Sequence, residues 1–165
     1  MHTFFRVVVS AWLVIGAAGA RADDVPAAGA LDLHVAVVLK AAGLAYVIDE
    51  GDYSLNYTLA DGRTQRAWVA SKAARIAHLE LRDVWSVAYR GQGLLPANLA
   101  NRLLTENVRM VMGAWQVNQG KDEFLVVFSY PIAADADAET LQEVIEAVTL
   151  SADRMEKELT GKDDF

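Results

Sequence analysis

Residues 108–159 read VRMVMGAWQVNQGKDEFLVVFSYPIAADADAETLQEVIEAVTLSADRMEKEL, and two periodicities in that stretch decide the fold class. Two strands, Val108 to Asn118 and Glu123 to Tyr130, are joined by Gln119-Gly120-Lys121-Asp122, a glycine-bearing connection of hairpin length. The run Phe124-Leu125-Val126-Val127-Phe128 is apolar on both faces, as a central strand requires. Pro131 has no N–H for a ladder and is expected to end that strand. The period then changes from two to 3.6. Leu141, Val144, Ile145, Val148, Ala152, Met155 and Leu159 form one stripe on a helix from about Asp137 to Leu159, and Asp137 is placed to cap its first turn. A hairpin followed by a long amphipathic helix is a sheet with a helix packed on it.

The same reading extends towards the N-terminus. Pro96 opens a helix to about Asn107 with Leu99, Leu103 and Leu104 on one face and Asn101, Arg102 and Glu106 away from it. Leu79 to Tyr89 alternates, placing Leu79, Leu81, Trp85, Val87 and Tyr89 on one side and Glu80, Arg82 and Ser86 on the other. Asp83 interrupts the apolar side, which signals a bulge or an edge. Tyr53, Leu55, Tyr57 and Leu59 alternate with polar residues, Asp61-Gly62 turns the chain, and Thr64 to Ala70 returns. Before them a helix from about Leu31 to Ala42 presents Leu31, Val35, Val38 and Leu39 and stops at Gly43. The order predicts an α+β fold: an antiparallel sheet with an N-terminal helix, a middle helix and a long C-terminal helix packed on it. No linker, repeat or low-complexity stretch divides residues 23–165, which read as one domain.

The stretches LLTENVRMVMGAWQVNQGKDEFLVVFSYPI and AETLQEVIEAVTLSADRMEKEL resemble the C-terminal half of the YbjN-like family, which is related in fold to the type III secretion chaperones. In those families a helix ending in a Leu-Leu-x-x-Asn type motif leads to a strand with a Gly and an aromatic. A hairpin, an apolar strand closed by Pro and a long final helix follow. Leu103, Leu104, Asn107, Gly113, Trp115 and Pro131 fill those places. The N-terminal helix with Leu39, then Gly43-Leu44-Ala45-Tyr46 and the acidic turn Asp49-Glu50-Gly51-Asp52, resembles the family's first helix and strand. The resemblance implies a chaperone-like fold and a tendency to form homodimers. Members of the secretion-chaperone branch act in the cytosol on effectors before export, a role at odds with the leader described next.

Arg6, the apolar run from Val7 to Ala18 and the small residues at Ala18-Gly19-Ala20 and Ala20-Arg21-Ala22 read as a cleavable signal peptide over residues 1–22, cut after Ala20 or Ala22. About a dozen apolar residues fall short of the roughly twenty that span a bilayer, so no stable membrane anchor is expected after cleavage. The whole chain carries a formal charge of −7, and the leader holds the cations Arg6 and Arg21 but no acid. The mature chain is therefore more acidic still. Lys and Arg are scattered singly, so neither nucleic acid nor anionic lipid finds a basic face. The chain contains no Cys, which removes disulfides, thiolate metal sites, thiol nucleophiles and lipid-modified Cys. A cysteine-free exported domain of this size suits the bacterial periplasm.

The catalytic inventory is empty. His34 and His78 lack the i, i+4 spacing of a ligand pair, so no metal is expected. Asp49-Glu50-Gly51-Asp52 lacks the calcium-loop register and reads as a solvated hairpin turn. Gly91-Gln92-Gly93 lacks a third glycine and a surrounding βαβ unit, so it reads as a loop and no nucleotide cofactor is expected. Ser54, Ser71, Ser86, Ser129 and Ser151 have no nucleophile elbow. A carboxylate pair such as Glu80 with Asp83 has the groups for acid/base work on periplasmic glycans, but nothing in the sequence sets their separation.

The aromatics remain. Trp68, Trp85 and Trp115 all fall on predicted strands and serve either the core or an interface. Trp115 and Leu103 are the interface candidates, because they sit in the segment of strongest resemblance. The expectation is a non-catalytic periplasmic protein-binding or chaperone-like adaptor. It would dimerise through a helix or sheet edge and offer an apolar groove to a client protein. The alternative is a small-molecule or lipid-binding protein with its cavity between the aromatic-rich sheet and the final helix.

Overall fold

A computed structural model describes residues 31–165; the expected signal peptide over residues 1–22 and the Asp23 to Ala30 segment lie outside the described residues. The chain is α+β, with three helices and a seven-stranded antiparallel sheet among the described residues. The elements in order are α1 (Leu33–Ala41), β1 (Val47–Asp49), β2 (Asp52–Thr58), β3 (Thr64–Val69), β4 (Ala74–Ile76), β5 (Leu79–Gln92), α2 (Ala97–Asn107), β6 (Ala114–Gln119), β7 (Glu123–Ala133) and α3 (Ala138–Thr160). The strands lie in the order β1-β2-β3-β5-β7-β6, and the short β4 pairs with the start of β5.

The final helix forms as its sequence dictates. Asp137 caps it, the carboxylate accepting from the Thr140 N–H at 2.9 Å, and Gly161 closes it in the left-handed region at φ 70°. Leu141, Val144, Ile145, Val148, Ala152 and Met155 are all buried against the sheet, where they meet Val84, Ala88, Val126 and Phe128 in one continuous core. Each Leu, Val, Ile or Met side chain of that stripe contributes about 1.5 to 3 kcal/mol of burial. At the other end of the chain α1 buries Val35, Val38 and Leu39 and stops at Gly43, φ 71°. Its capping residue is Asp32, whose carboxylate accepts from the His34 N–H at 3.0 Å.

Strand β5 departs from its expected facing. Trp85 and Val87 do not point into the main core; with Leu125 and Val127 they form a second cluster on the opposite face of the sheet. Val84, Ser86 and Ala88 point inward instead, and so does Arg82. The alternation up to Val87 is regular, and only Tyr89 leaves that side: a bulge at Ala88, where Val87 pairs with Val127 but Tyr89 with Val126, shifts the phase by one residue and returns Tyr89 to the helix side. Asp83 is not the site of the irregularity. Gly91 and Gln92 belong to β5 rather than to a loop, and Gly91 leaves room for the Phe124 ring directly opposite it; a Cβ there would stand inside contact distance of that ring.

Two further boundaries move. The strand expected from Val108 begins at Ala114, because α2 runs to Asn107 and residues 108–113 are needed to swing the chain to the sheet edge. The alternation of Val108, Met110 and Met112 imitates a strand but is a loop that ends at Gly113, φ 75°, whose hydrogen faces the Phe128 ring. Pro131 does not end β7, which runs on to Ala133. It pairs with Asp83, and the Asp83 carbonyl is spent on the Ala70 N–H at 2.9 Å, on the side away from β7. The missing N–H of Pro131 therefore faces away from β5, where β6 has already ended at Ala114↔Ser129, and no ladder bond is lost.

Candidate interaction surface

The middle helix and the loop after it carry an apolar surface. Leu99 and Leu103 anchor α2 to the core, while Leu104, assigned by its spacing to the same face, turns outward and is 64% exposed. It continues into the loop, where Val108 is 86%, Val111 97% and Met112 50% exposed. Four large apolar side chains within nine residues lie beside the β6 edge of the sheet. Surface apolar residues are ordinarily scattered singly. On another side of α2, ion pairs tie it to α3: Arg102 with Glu106 and Glu158, and Arg154 with Glu106 at 3.2 Å.

The edge itself is half closed. The Asn107 side chain accepts from the Trp115 N–H at 2.7 Å and donates to the Trp115 carbonyl at 3.1 Å, so one amide imitates a neighbouring strand. Since outward-facing rungs alternate, Val117 and Gln119 are the next positions whose backbone groups point away from β7. The Leu-Leu-x-x-Asn pattern thus has a local cause: Leu103 anchors the helix, Leu104 is exposed, and Asn107 caps the edge strand.

The two interface candidates sit inside the molecule. Trp115 is 5% exposed and packs edge-on against Phe128 at 5.0 Å; Leu103 is 3% exposed. Both belong to the core of a single copy, so neither offers its side chain to a partner; Leu104 and Val111 do. Trp68 and Trp85 are stacked 4.3 Å apart and nearly parallel on the outer face of the sheet. The Trp68 N–H donates to Asp49 at 3.0 Å, whereas the buried Trp85 Nε1 has no hydrogen-bond partner among the described residues.

The remaining candidates are dispersed. His34 and His78 are both exposed, one on α1 and one in the turn before β5. Asp49-Glu50-Gly51-Asp52 is a two-residue hairpin turn with φ 50° at Glu50 and 94° at Gly51, and Asp52 accepts from the Ser71 N–H at 2.7 Å. Burial pushes the Asp52 carboxyl up. Glu80 and Asp83, three residues apart on one strand, project from opposite faces of the sheet, so they do not meet. Glu80 pairs with Arg75 at 3.5 Å instead.

Two polar clusters escape the sequence reading. The buried Arg82 donates to the carbonyls of Ala70 and Ser71 and to the Asp32 carboxylate, each at 2.5 Å, and so latches the start of α1 to the sheet. Burial works to raise the Asp32 carboxyl, but the Arg82 guanidinium and the His34 N–H outweigh it and hold it below its usual range. The second cluster surrounds Arg63, in the β2–β3 connection. Its guanidinium bonds Asp153, approaches Glu156 at 3.5 Å and Asp163 at 3.8 Å, and donates to the Lys162 carbonyl at 2.6 Å. The three carboxylates converge closely enough to ligate a cation, and the guanidinium already supplies the positive charge there. Thr149, Asp153 and Glu156 recur at helical spacing beside the apolar stripe, a signal that marks them as facing the protein.

Among the described residues, spaces remain at the surface of this core. One, between α1 and the end of β7, has room for about 10 Å³, a single water. Another is an open groove between the ends of α2 and α3, lined by Tyr89, Pro96, Asn98, Leu99, Arg102 and Leu159. Comparison of the chain with protein-family models, curated proteins and solved structures returns no match, so the YbjN-like resemblance rests on its sequence pattern alone.

Proposed function

We propose that this chain is a non-catalytic, exported protein-binding domain of chaperone-like fold, acting in the periplasm, that holds an apolar segment of a client protein against the end of α2. One observation carries the reading: Leu104, Val108, Val111 and Met112 form an exposed apolar surface beside a sheet edge of which Asn107 closes only the first rung. An apolar surface next to open backbone groups suits an extended segment, which adds main-chain hydrogen bonds to side-chain burial. The small-molecule alternative has less support. The space it requires, between the sheet and α3, is filled among the described residues by Val84, Ala88, Val126, Ile145, Val148 and Met155.

The test is capture of crosslinked partners from periplasmic extract on the wild-type chain and on Val108→Asp/Val111→Asp. These substitutions lie in a loop and leave the core untouched. A defined protein held by the wild type and lost from the variant supports the reading. Equal recovery on both sinks it, as does native mass spectrometry showing a stoichiometric small molecule with no protein. Recovery of the chain alone, with a dimer that the variant abolishes, would reassign the surface to self-association.

A further inference from the structure

We propose that residues 161–165 occupy, in cis, a peptide-binding site on the outer side of the sheet. In trans the site accepts a partner segment of the same chemistry, an acidic residue followed two positions later by an aromatic one. After α3 closes at Gly161 the chain does not trail away. The Lys162 carbonyl accepts from Arg63 at 2.6 Å, Asp163 faces Arg63 at 3.8 Å and accepts from the Thr64 N–H at 3.2 Å, and the Asp164 N–H donates to Glu156 at 2.6 Å. Phe165 then packs on the cluster of Trp85, Val87, Leu125 and Val127, which Trp68 also covers.

Three separate elements therefore read this short segment: the β2–β3 connection takes its carboxylate, α3 takes its backbone, and the outer sheet face takes its ring. These are the contacts by which domains recognise extended peptides. A second observation is an unmet donor in the cluster that Phe165 packs against, a condition shared by Trp115 Nε1 in the main core. Trp85 Nε1, within the cluster that receives the ring, is a buried donor with no partner among the described residues, and a phenyl ring has no acceptor to give it. A buried unpaired donor is costly, so a partner that brings a backbone carbonyl or hydroxyl along with its aromatic residue gains what the resident segment forgoes. The resident segment competes from a high effective concentration, which keeps the site closed to weak ligands.

The experiment measures fluorescence anisotropy of a labelled Gly-Lys-Asp-Asp-Phe peptide against the full chain and against the full chain carrying Asp163→Ala/Phe165→Ala. The variant should bind at least about tenfold more tightly than the wild type, since its site is vacated. A peptide with Ala in place of Phe should lose that binding. Equal affinity for both chains overturns the proposal, and so does absence of binding to a variant whose circular dichroism and melting remain those of a folded protein. If the double variant melts below the assay temperature, Phe165→Ala alone, which keeps the Arg63 contacts, is judged by the same tenfold criterion.

Discussion

Replacing Arg63 by Ala should be among the most damaging single changes that leave the apolar core intact. The guanidinium is the common partner of Asp153 and Glu156 on α3 and of Asp163 and the Lys162 carbonyl beyond it. The Glu156 side chain is fully buried, whereas Asp153 and Arg63 both keep some contact with water. Breaking a buried pair by removing one partner costs about 3 to 5 kcal/mol, and the partial exposure of Arg63 places this case near the lower end, about 3 kcal/mol. An unfolding entropy of about 2.1 cal/mol/K per residue over residues 31–165 converts that to a fall in Tm of about 11 °C. The pH dependence separates this account from simple loss of packing. Burial pushes the Glu156 carboxyl above its ordinary value, with Asp163 and Asp153 adding to the rise and the Asp164 N–H and Arg63 opposing it. A carboxyl raised in the folded state favours folding while protonated, below its ordinary value, and that contribution is lost as pH climbs through the raised one. Without Arg63 the rise is larger, so the variant should lose most at neutral pH and approach the wild type near pH 4. Thermal melts from pH 4 to 8 on wild type, Arg63→Ala and Arg63→Ala/Glu156→Gln test this, with the double variant recovering part of the loss at pH 7. A cost below about 1 kcal/mol at pH 7, or one independent of pH, would refute the reasoning.

Three other outcomes are expected. Trp115→Ala should cost about 3 to 5 kcal/mol in urea denaturation, as removal of a buried aromatic ring from a packed core does; a cost below about 1 kcal/mol would return that residue to an interface role. Gly91→Ala should destabilise by about 1 to 3 kcal/mol or more, because its Cβ meets the Phe124 ring, and pairing it with Phe124→Leu should restore part of the loss in a double-mutant cycle. Asn107→Ala should leave the Trp115 N–H and carbonyl without their partner and promote edge-to-edge association; light scattering across a concentration series should show a larger species than the wild type forms.

The long final helix and the turn of the β6–β7 hairpin, though not the hairpin's outer ends, were legible in the sequence for one reason: their periodicity is uninterrupted and residues there have a single local role. Asp137 caps, Gly161 reverses the backbone, and Gly120 turns. The same logic failed in β5, where period two is broken by an extra residue at Ala88 whose presence depends on the partner strand. Counting alternation through the bulge grouped Tyr89 with Trp85 and Val87, whereas Tyr89 faces α3 and the other two the outer cluster. Arg82 is buried because Ala70, Ser71 and Asp32 converge on it from segments twelve, eleven and fifty residues away, a convergence with no local signature. Leu104 shows the same limit: helical spacing placed it with Leu99 and Leu103, but the burial of a residue at the margin of a stripe is settled by what packs there.

The candidate surface divides in the same way. Leu103, Leu104, Asn107, Gly113 and Trp115 stand out as a pattern in the sequence, yet which of them is anchor, exposed residue, edge cap, close approach or core follows only from tertiary structure. By itself the sequence determined the class of the fold, its antiparallel hairpin, its three helices and the absence of thiol chemistry, because each depends on local periodicity, turn chemistry or composition. Tertiary structure alone decided which face of β5 is inside, that one guanidinium gathers three carboxylates, and that apolar side chains after α2 are left in water. Those outcomes depend on contacts between residues far apart in the chain, and no local rule contains them.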